Sequence, residues 1–190
     1  MIKTGAFWFL FTAHFICGIG CGFMVTHIVI FATDAGFPDM IAASLLSVQG
    51  GLNLVGVLVT GHLGDRIARK YVLALTHFIR ALSFATVVIF MLLGSNSLWV
   101  LYLAVAFFGF GWFTTAPLTA SLVADLFGSL RMGTILGVTT SAHIFGVALG
   151  TYAGGAIFDL TQSYFLVFII QTALALLATV LSLMIQRKEN

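Results

Sequence analysis

The sequence predicts an all-α membrane protein of six transmembrane helices, from its composition, its apolar runs and their length. Of the 190 residues, 61% are hydrophobic and 7% are charged, and the mean hydropathy is +1.13. A soluble domain needs more charge to cover its surface, so we expect the lipid bilayer to contact most of this one. Six apolar runs reach the ~20 residues that a helix needs to cross a bilayer core of ~30 Å. In lipid the backbone must satisfy its own hydrogen bonds, which favours helices.

The six predicted spans form a single domain over residues 1–190. They cover about 5–32, 40–63, 71–94, 98–124, 132–157 and 163–186. The connecting segments are short and carry turn signals, such as Gly36 and Pro38 after the first span. Such short connections place successive helices antiparallel to each other.

All basic residues outside the predicted spans lie at one set of helix ends. They are Lys3, Arg66, Arg69, Lys70, Arg131, Arg187 and Lys188. The opposite ends carry only Asp34, Asp39 and Asp159. The positive-inside rule therefore predicts that both termini are cytoplasmic, and we expect an integral protein of the plasma membrane, in a bacterium the inner membrane. The net charge of +2 makes nucleic acid a poor candidate partner.

The sequence predicts no cofactor, no metal centre and no enzymatic activity. Cys17 and Cys21 share a helix face within an apolar run, and we interpret them as small packing residues. His14 and His27 lie thirteen residues apart on the first span, but haem would need a matching pair of histidines on a second span. No acidic residue lies within a span, so general acid–base chemistry has no obvious carrier there.

Two patterns of glycine and aspartate recur along the chain. Gly18 and Gly20 of the first span, with Asp34 just after it, recur 91 positions later at the fourth span as Gly109, Gly111 and Asp125. Gly56 and Gly61 of the second span, with Asp65 just after it, recur 94 positions later at the fifth span as Gly150, Gly155 and Asp159. Three spans is an odd number, so the second copy must be inverted, which predicts a 3+3 inverted repeat. The alternative is that glycines simply recur where helices pack closely.

The loop between the second and third spans concentrates charge in ten residues, 61–70, with the sequence GHLGDRIARK. It resembles the signature loop of the major facilitator superfamily, G-x-L-x-D-R-x-G-R-K. The matching residues are Gly61, Leu63, Asp65, Arg66, Arg69 and Lys70, whereas Ala68 stands where the family usually has glycine. The positive-inside rule explains the basic residues but not Gly61, Leu63 or Asp65, so these three carry the resemblance.

Residues 26–37, THIVIFATDAGF, resemble the first-span exit of the monocarboxylate-transporter-like and oxalate–formate-antiporter-like branch of that superfamily. The resemblance covers the whole chain, which matches the C-terminal six of the family's twelve spans. It implies half of a secondary active transporter that moves a small solute, such as an organic anion, by alternating access. The implied partner is a second six-helix half, either a separate chain or a second copy. The alternative is a truncated or scaffold-type membrane protein without transport activity of its own.

In this family the first, second, fourth and fifth spans of a half line the central cavity. Polar residues on those spans are therefore our candidates for the substrate cavity: His14, Gln49, Asn53, Trp112, Thr115, Thr139 and His143. Each of them could instead bond a neighbouring helix for packing. Because no carboxylate lies within a span, a coupled proton would be carried either by a histidine, His14 or His143, or by a residue of the second half.

The resemblance also leaves the charge of the substrate open. Monocarboxylate transporters carry an Asp on the second span of this half and, four residues on, an Arg that contacts the substrate carboxylate. Asn53 and Val57 occupy those positions here.

Three charged groups have competing interpretations. Arg80 lies within the third span, where a charge is a functional candidate, but it could also snorkel or bind a carbonyl group, and the supporting role of that span favours the structural interpretation. Asp65 resembles the residue that faces a helix N-terminus of the other half and latches the halves together. Within this half, Arg66 or Arg69 is expected to pair with Asp125.

Overall fold

The computed structural model describes residues 4–94 and 97–186, which form seven α-helices and one short 3₁₀ helix. The α-helices are α1 (Gly5–Asp34), α2 (Asp39–Arg66), α3 (Arg69–Leu92), α4 (Leu98–Gly111), α5 (Thr115–Phe127), α6 (Met132–Thr161) and α7 (Phe165–Leu183). The 3₁₀ helix, Ser129–Arg131, leads into α6. The predicted basic residues Lys3, Arg187 and Lys188 lie outside the described part of the chain.

These elements make six segments that are long and apolar enough to cross a membrane, with α4 and α5 together forming the fourth. The prediction of an all-α, six-span membrane fold is therefore confirmed. The predicted boundaries agree with the helix ends to within a few residues, because the connecting segments contain the turn signals. Gly36 and Gly128, for example, lie in connections and adopt positive φ angles of 88° and 77°.

The fourth span differs from the prediction, since it is interrupted at residues 112–114. Pro117 has no N–H group, so it cannot bond the carbonyl group of Phe113 four residues earlier, and its ring crowds that carbonyl. The chain turns instead: the N–H of Trp112 bonds the carbonyl of Gly109, and that of Ala116 bonds Phe113. The fourth span therefore consists of two half-helices that meet at Trp112.

Pairs of glycine contacts repeat between the two halves of the chain. A Cβ atom on Gly18 would overlap the carbonyl group of His143, and one on Gly109 would overlap that of Gln49. The offsets are those of the sequence repeat, because Gly109 follows Gly18 by 91 positions and His143 follows Gln49 by 94. The close packing of α1 on α6 thus has an equivalent in the packing of α4 on α2.

A second pair of glycine contacts is related by the same sequence offsets of 91 and 94 positions. Gly150 lies against the carbonyl group of Ile19, and Gly56 lies against that of Phe110. Close helix packing alone would not place both partners of two contacts at matching offsets. The 3+3 inverted repeat is therefore visible in the packing as well as in the sequence.

Burial is uneven among the helices, and α1 is the most enclosed. Sixteen of its thirty residues are buried, against five of twenty-eight in α2 and six of thirty in α6. Large apolar side chains project from the two poorly buried helices, including Leu58 of α2, 75% exposed, and Ile144 of α6, 63% exposed. Helices α1, α3 and α4 thus form much of the interior, and α2 and α6 present wide apolar faces.

Candidate functional site

A cavity of about 450 Å³ lies between α1, the break in the fourth span and α6. Its polar lining comprises His14, Thr26, Thr115, Thr119, Thr140 and His143, and its aromatic lining comprises Trp112 and Phe113. None of the described lining residues is Asp, Glu, Lys or Arg. Mostly apolar cavities with a few polar groups are the usual form of small-ligand sites.

Two histidines form the polar wall of this cavity. The rings of His14 and His143 are 4.8 Å apart between centroids. Nδ1 of His143 lies 3.2 Å from the backbone carbonyl oxygen of His14. A carbonyl oxygen only accepts hydrogen bonds, so this nitrogen donates, and in the neutral ring the other nitrogen keeps its lone pair. Nδ1 of His14 lies 3.4 Å from the Thr119 hydroxyl group.

Arg80 lies behind the cavity, with its guanidinium group buried between α1 and the end of α4. Nη1 donates to the carbonyl oxygen of Cys17 at 3.2 Å and approaches its sulfur at 2.7 Å. Nη2 donates to the carbonyl oxygens of Gly111 at 2.9 Å and Trp112 at 3.3 Å. Carbonyl groups at a helix C-terminus lack intrahelical donors and carry partial negative charge. The guanidinium group therefore caps α4 and links it to α1 through hydrogen bonds to carbonyl groups of both helices.

Four of the seven cavity candidates come together in this site: His14, Trp112, Thr115 and His143. The other three lie elsewhere. Asn53 donates to the carbonyl oxygen of Gly109 at 3.2 Å, and the Thr139 hydroxyl group bonds carbonyl groups of its own helix, α6. Gln49 is fully buried, and its amide group has no hydrogen-bond partner among the described residues.

Several lining residues were missed by the sequence analysis, and one nearby residue was given only a packing role. Phe113 and Thr119 line the cavity because the break turns this part of the fourth span toward α1 and α6. Pro117 was the signal for that break. Cys17 was interpreted as a packing residue, yet its sulfur lies 3.5 Å from the Thr115 hydroxyl group and beside Arg80.

The signature loop forms a polar corner at the opposite end of α2 and α3 from Asp34 and Asp39. Nη1 of Arg69 lies 2.6 Å from both carboxylate oxygens of Asp125, so Arg69 rather than Arg66 is the partner of this aspartate. Both side chains are partly exposed, at 30% and 43%. Asp65 is exposed beside Gly61 and Pro117 in a small cleft of about 140 Å³, and Leu63 packs on the core below.

A second polar contact closes the other end of α1. Nε2 of His27 bonds the carbonyl oxygen of Thr151 at 3.0 Å, which makes Nε2 the donor and leaves Nδ1 to accept from the Tyr164 hydroxyl group at 3.2 Å. Burial raises the pKa of Tyr164, and the carboxylates of Asp34 and Asp159 raise it further. Tyr164 therefore stays protonated and able to donate at neutral pH.

Fold and site together define a class: a polytopic α-helical membrane protein built from an inverted repeat, with a cavity at a broken helix. Comparison with known families makes the assignment specific. The sequence profile of the Major Facilitator Superfamily matches residues 10–190, and the chain belongs to this family.

Two curated relatives match over 160 residues, which is 83% of this chain, each at 29% identity. One is named an uncharacterized MFS-type transporter, YcxA, of Bacillus subtilis strain 168. The other is named monocarboxylate transporter 13, of Rattus norvegicus. The aligned region makes up 38% of the first relative and 37% of the second, so the chain spans well under half of their length.

Proposed function

We propose that the chain is half of a secondary active transporter that moves a small solute across the membrane by alternating access. The observation that carries the proposal is the cavity at the break of the fourth span. Substrate sites of secondary transporters typically form at discontinuous helices, where backbone groups and side chains can contact a solute within the membrane. The cavity is large enough for a small organic molecule.

The proposed partner is a second six-helix half, either a separate chain or a second copy of this one. Two observations support it. The relatives are more than twice as long as the matched region. In addition, α2 and α6 leave apolar side chains and several glycines without neighbours; Gly50 and Gly137, for example, would have nothing within 4 Å of an added Cβ atom. Small residues on an open face allow a helix of another half to approach closely.

The proposed substrate class is a small solute, and an organic anion is the candidate that the monocarboxylate-transporter relative favours. Among the described residues that line the cavity, only the two histidines can carry positive charge, since Arg80 donates its hydrogen bonds to α1 and to the end of α4. An anion would therefore bind with a protonated histidine or with a cation from the second half. This arrangement ties the solute to proton coupling through His14 or His143.

In the proposed orientation, both termini, the Arg69–Asp125 pair and the signature loop lie on the cytoplasmic side of the plasma membrane. Arg66, Arg69, Lys70 and Arg131 cluster at the same helix ends, as the positive-inside rule requires. In this position Asp65 is exposed on the surface that a helix N-terminus of the other half would approach.

Cross-linking tests the second half. A cysteine is introduced at Leu58 of α2 or, as the matched control, at Leu176 of α7, which is also exposed at 44%. Native Cys17 and Cys21 are buried, so we expect them to react more slowly than the introduced cysteine. In native membranes we expect a bismaleimide to give a dimer of the L58C chain where the second half is another copy, or a product with a separate half that also carries a cysteine, and none with L176C. Equal absence of products from both variants would support the scaffold alternative.

Transport is tested in proteoliposomes that hold the chain with its second half, using a panel of labelled monocarboxylates and neutral solutes of similar size. Ala116 lines the cavity, whereas Leu103 of α4 is an exposed residue outside it. We expect Ala116→Trp to abolish accumulation because the indole fills the cavity, and Leu103→Trp to retain it. Equal rates in both variants would remove the cavity from the transport path.

A further inference from the structure

Three potential metal ligands meet beside the cavity, from two helices that are far apart in the sequence. His14, Cys17 and His143 each offer one ligand atom, and these atoms all lie within 4.8 Å of one another. Cys17 and His14 are buried, and His143 is half-buried at the cavity wall. Their grouping depends on the close packing of α1 on α6 at Gly18 and Gly146, which brings His143 against the first span.

We propose that these three residues bind a soft transition-metal ion, and that the ion is Cu(I). The proposal goes beyond solute transport and does not depend on it. One thiolate and two imidazoles form a ligand set that suits copper and zinc and that calcium and magnesium avoid. Metal–nitrogen and metal–sulfur bonds of about 2.0–2.3 Å would set the ligand atoms roughly 3.5–4 Å apart, so movements of about 1 Å complete the site.

The surrounding hydrogen bonds prepare the histidines for this role. Histidine binds a metal ion through a neutral ring nitrogen, and its other N–H group is usually held by a carboxylate, a backbone carbonyl group or water. His143 donates its Nδ1 proton to the carbonyl oxygen of His14, and the Thr119 hydroxyl group stands beside Nδ1 of His14. Both rings are therefore oriented before an ion arrives.

Charge decides between Cu(I) and Zn²⁺. The Arg80 guanidinium group lies against the Cys17 sulfur, so the site already holds one positive charge in a low-dielectric interior. Binding of Cu(I) releases the thiol proton and forms a neutral thiolate–copper unit, whereas Zn²⁺ leaves one further positive charge beside Arg80. Structural zinc also requires four protein ligands, and the described residues bring three together.

Metal titration of the full chain in detergent tests the proposal. Cu(I) is delivered anaerobically from bicinchoninate, and the affinity follows from competition with that chelator. We expect one Cu(I) per chain, with one sulfur and two nitrogen neighbours in the X-ray absorption spectrum. Cys17→Ser and His143→Gln should each weaken binding at least about tenfold. His27→Gln is the matched control, because His27 is buried on the same helix but bonds Thr151 and Tyr164. This variant should bind Cu(I) as tightly as the parent chain.

Several outcomes would overturn the proposal. One is Cu(I) binding by His143→Gln that is as tight as in the parent chain. Position 143 is only half-buried, so this variant provides the test even if Cys17→Ser aggregates. Another is equal loss in Cys21→Ser with two sulfur neighbours in the spectrum, which would place the ion on the cysteine pair. Tighter binding of Zn²⁺ than of Cu(I) would refute the charge argument.

Discussion

Replacing Arg80 with methionine tests whether its guanidinium group caps α4. Methionine keeps the length and apolar stem but removes all donors. The carbonyl group of Gly111 would then be left buried without a donor at the helix end, which costs about 1–3 kcal/mol. The bonds to Trp112 and to Cys17 contribute roughly 0.6–2 kcal/mol each.

The opposing effect is the burial of the guanidinium charge, which costs several kcal/mol and which methionine relieves. We therefore expect Arg80→Met to lower the free energy of unfolding by about 1–3 kcal/mol net. Arg80→Lys should lose less, because an ammonium group can still satisfy one of the two helices that Arg80 spans.

The assay is reversible unfolding of the chain in mixed detergent–SDS micelles, followed by circular dichroism and by tryptophan fluorescence, to which Trp112 at the break contributes together with Trp8 and Trp99. Leu82→Met, on an exposed position of the same helix, is the control and should match the parent chain. An Arg80→Met chain as stable as the parent would refute the capping argument, since it would show that the four contacts only offset the cost of burying the charge.

Three further predictions concern packing, the surface ion pair and proton coupling. Gly150→Ala should reduce the yield of folded protein on size-exclusion chromatography, because the added Cβ would overlap a carbonyl group of α1. Gly133→Ala, with open space around it, is the control and should not reduce the yield. Equal yields would argue against the contact. Asp125→Asn should change the unfolding free energy by less than about 1 kcal/mol, since the pair is partly exposed; a larger loss in SDS unfolding would show that the pair is shielded from solvent. Replacing His14 and His143 together with glutamine should abolish proton-driven uptake in proteoliposomes; unchanged uptake would exclude both as proton carriers.

The sequence predicts the spans well because lipid imposes a simple rule on composition. Runs of about twenty apolar residues must be helical in a bilayer, and Gly36 or Gly128 between them marks where a helix ends. The break in the fourth span was missed, although Pro117 indicates it, because length and hydropathy average over such local defects.

The candidate site was less predictable, because side-chain partners depend on how helices meet. Thr139 and His143 share a face of α6 by spacing, yet Thr139 bonds its own helix and His143 reaches the cavity. Arg80 was expected either to snorkel or to bind a carbonyl group, and the carbonyl group that it binds depends on the break in the neighbouring helix. Cys17 acquires its chemical surroundings from α3, α5 and α6, none of which is visible in its local sequence.

The equivalent glycine contacts have a consequence for where chemistry can arise in this chain. Positions 49 and 143 are equivalent in the repeat, and the backbone of each packs against a glycine of the other repeat unit. One position holds Gln49, a buried amide without a partner among the described residues, and the other holds His143 at a cavity wall. The backbone thus offers the same niche twice, once from each side of the bilayer, and only one niche carries a titratable ring. The two repeat units therefore differ in chemistry at equivalent positions, although their backbones are related by symmetry.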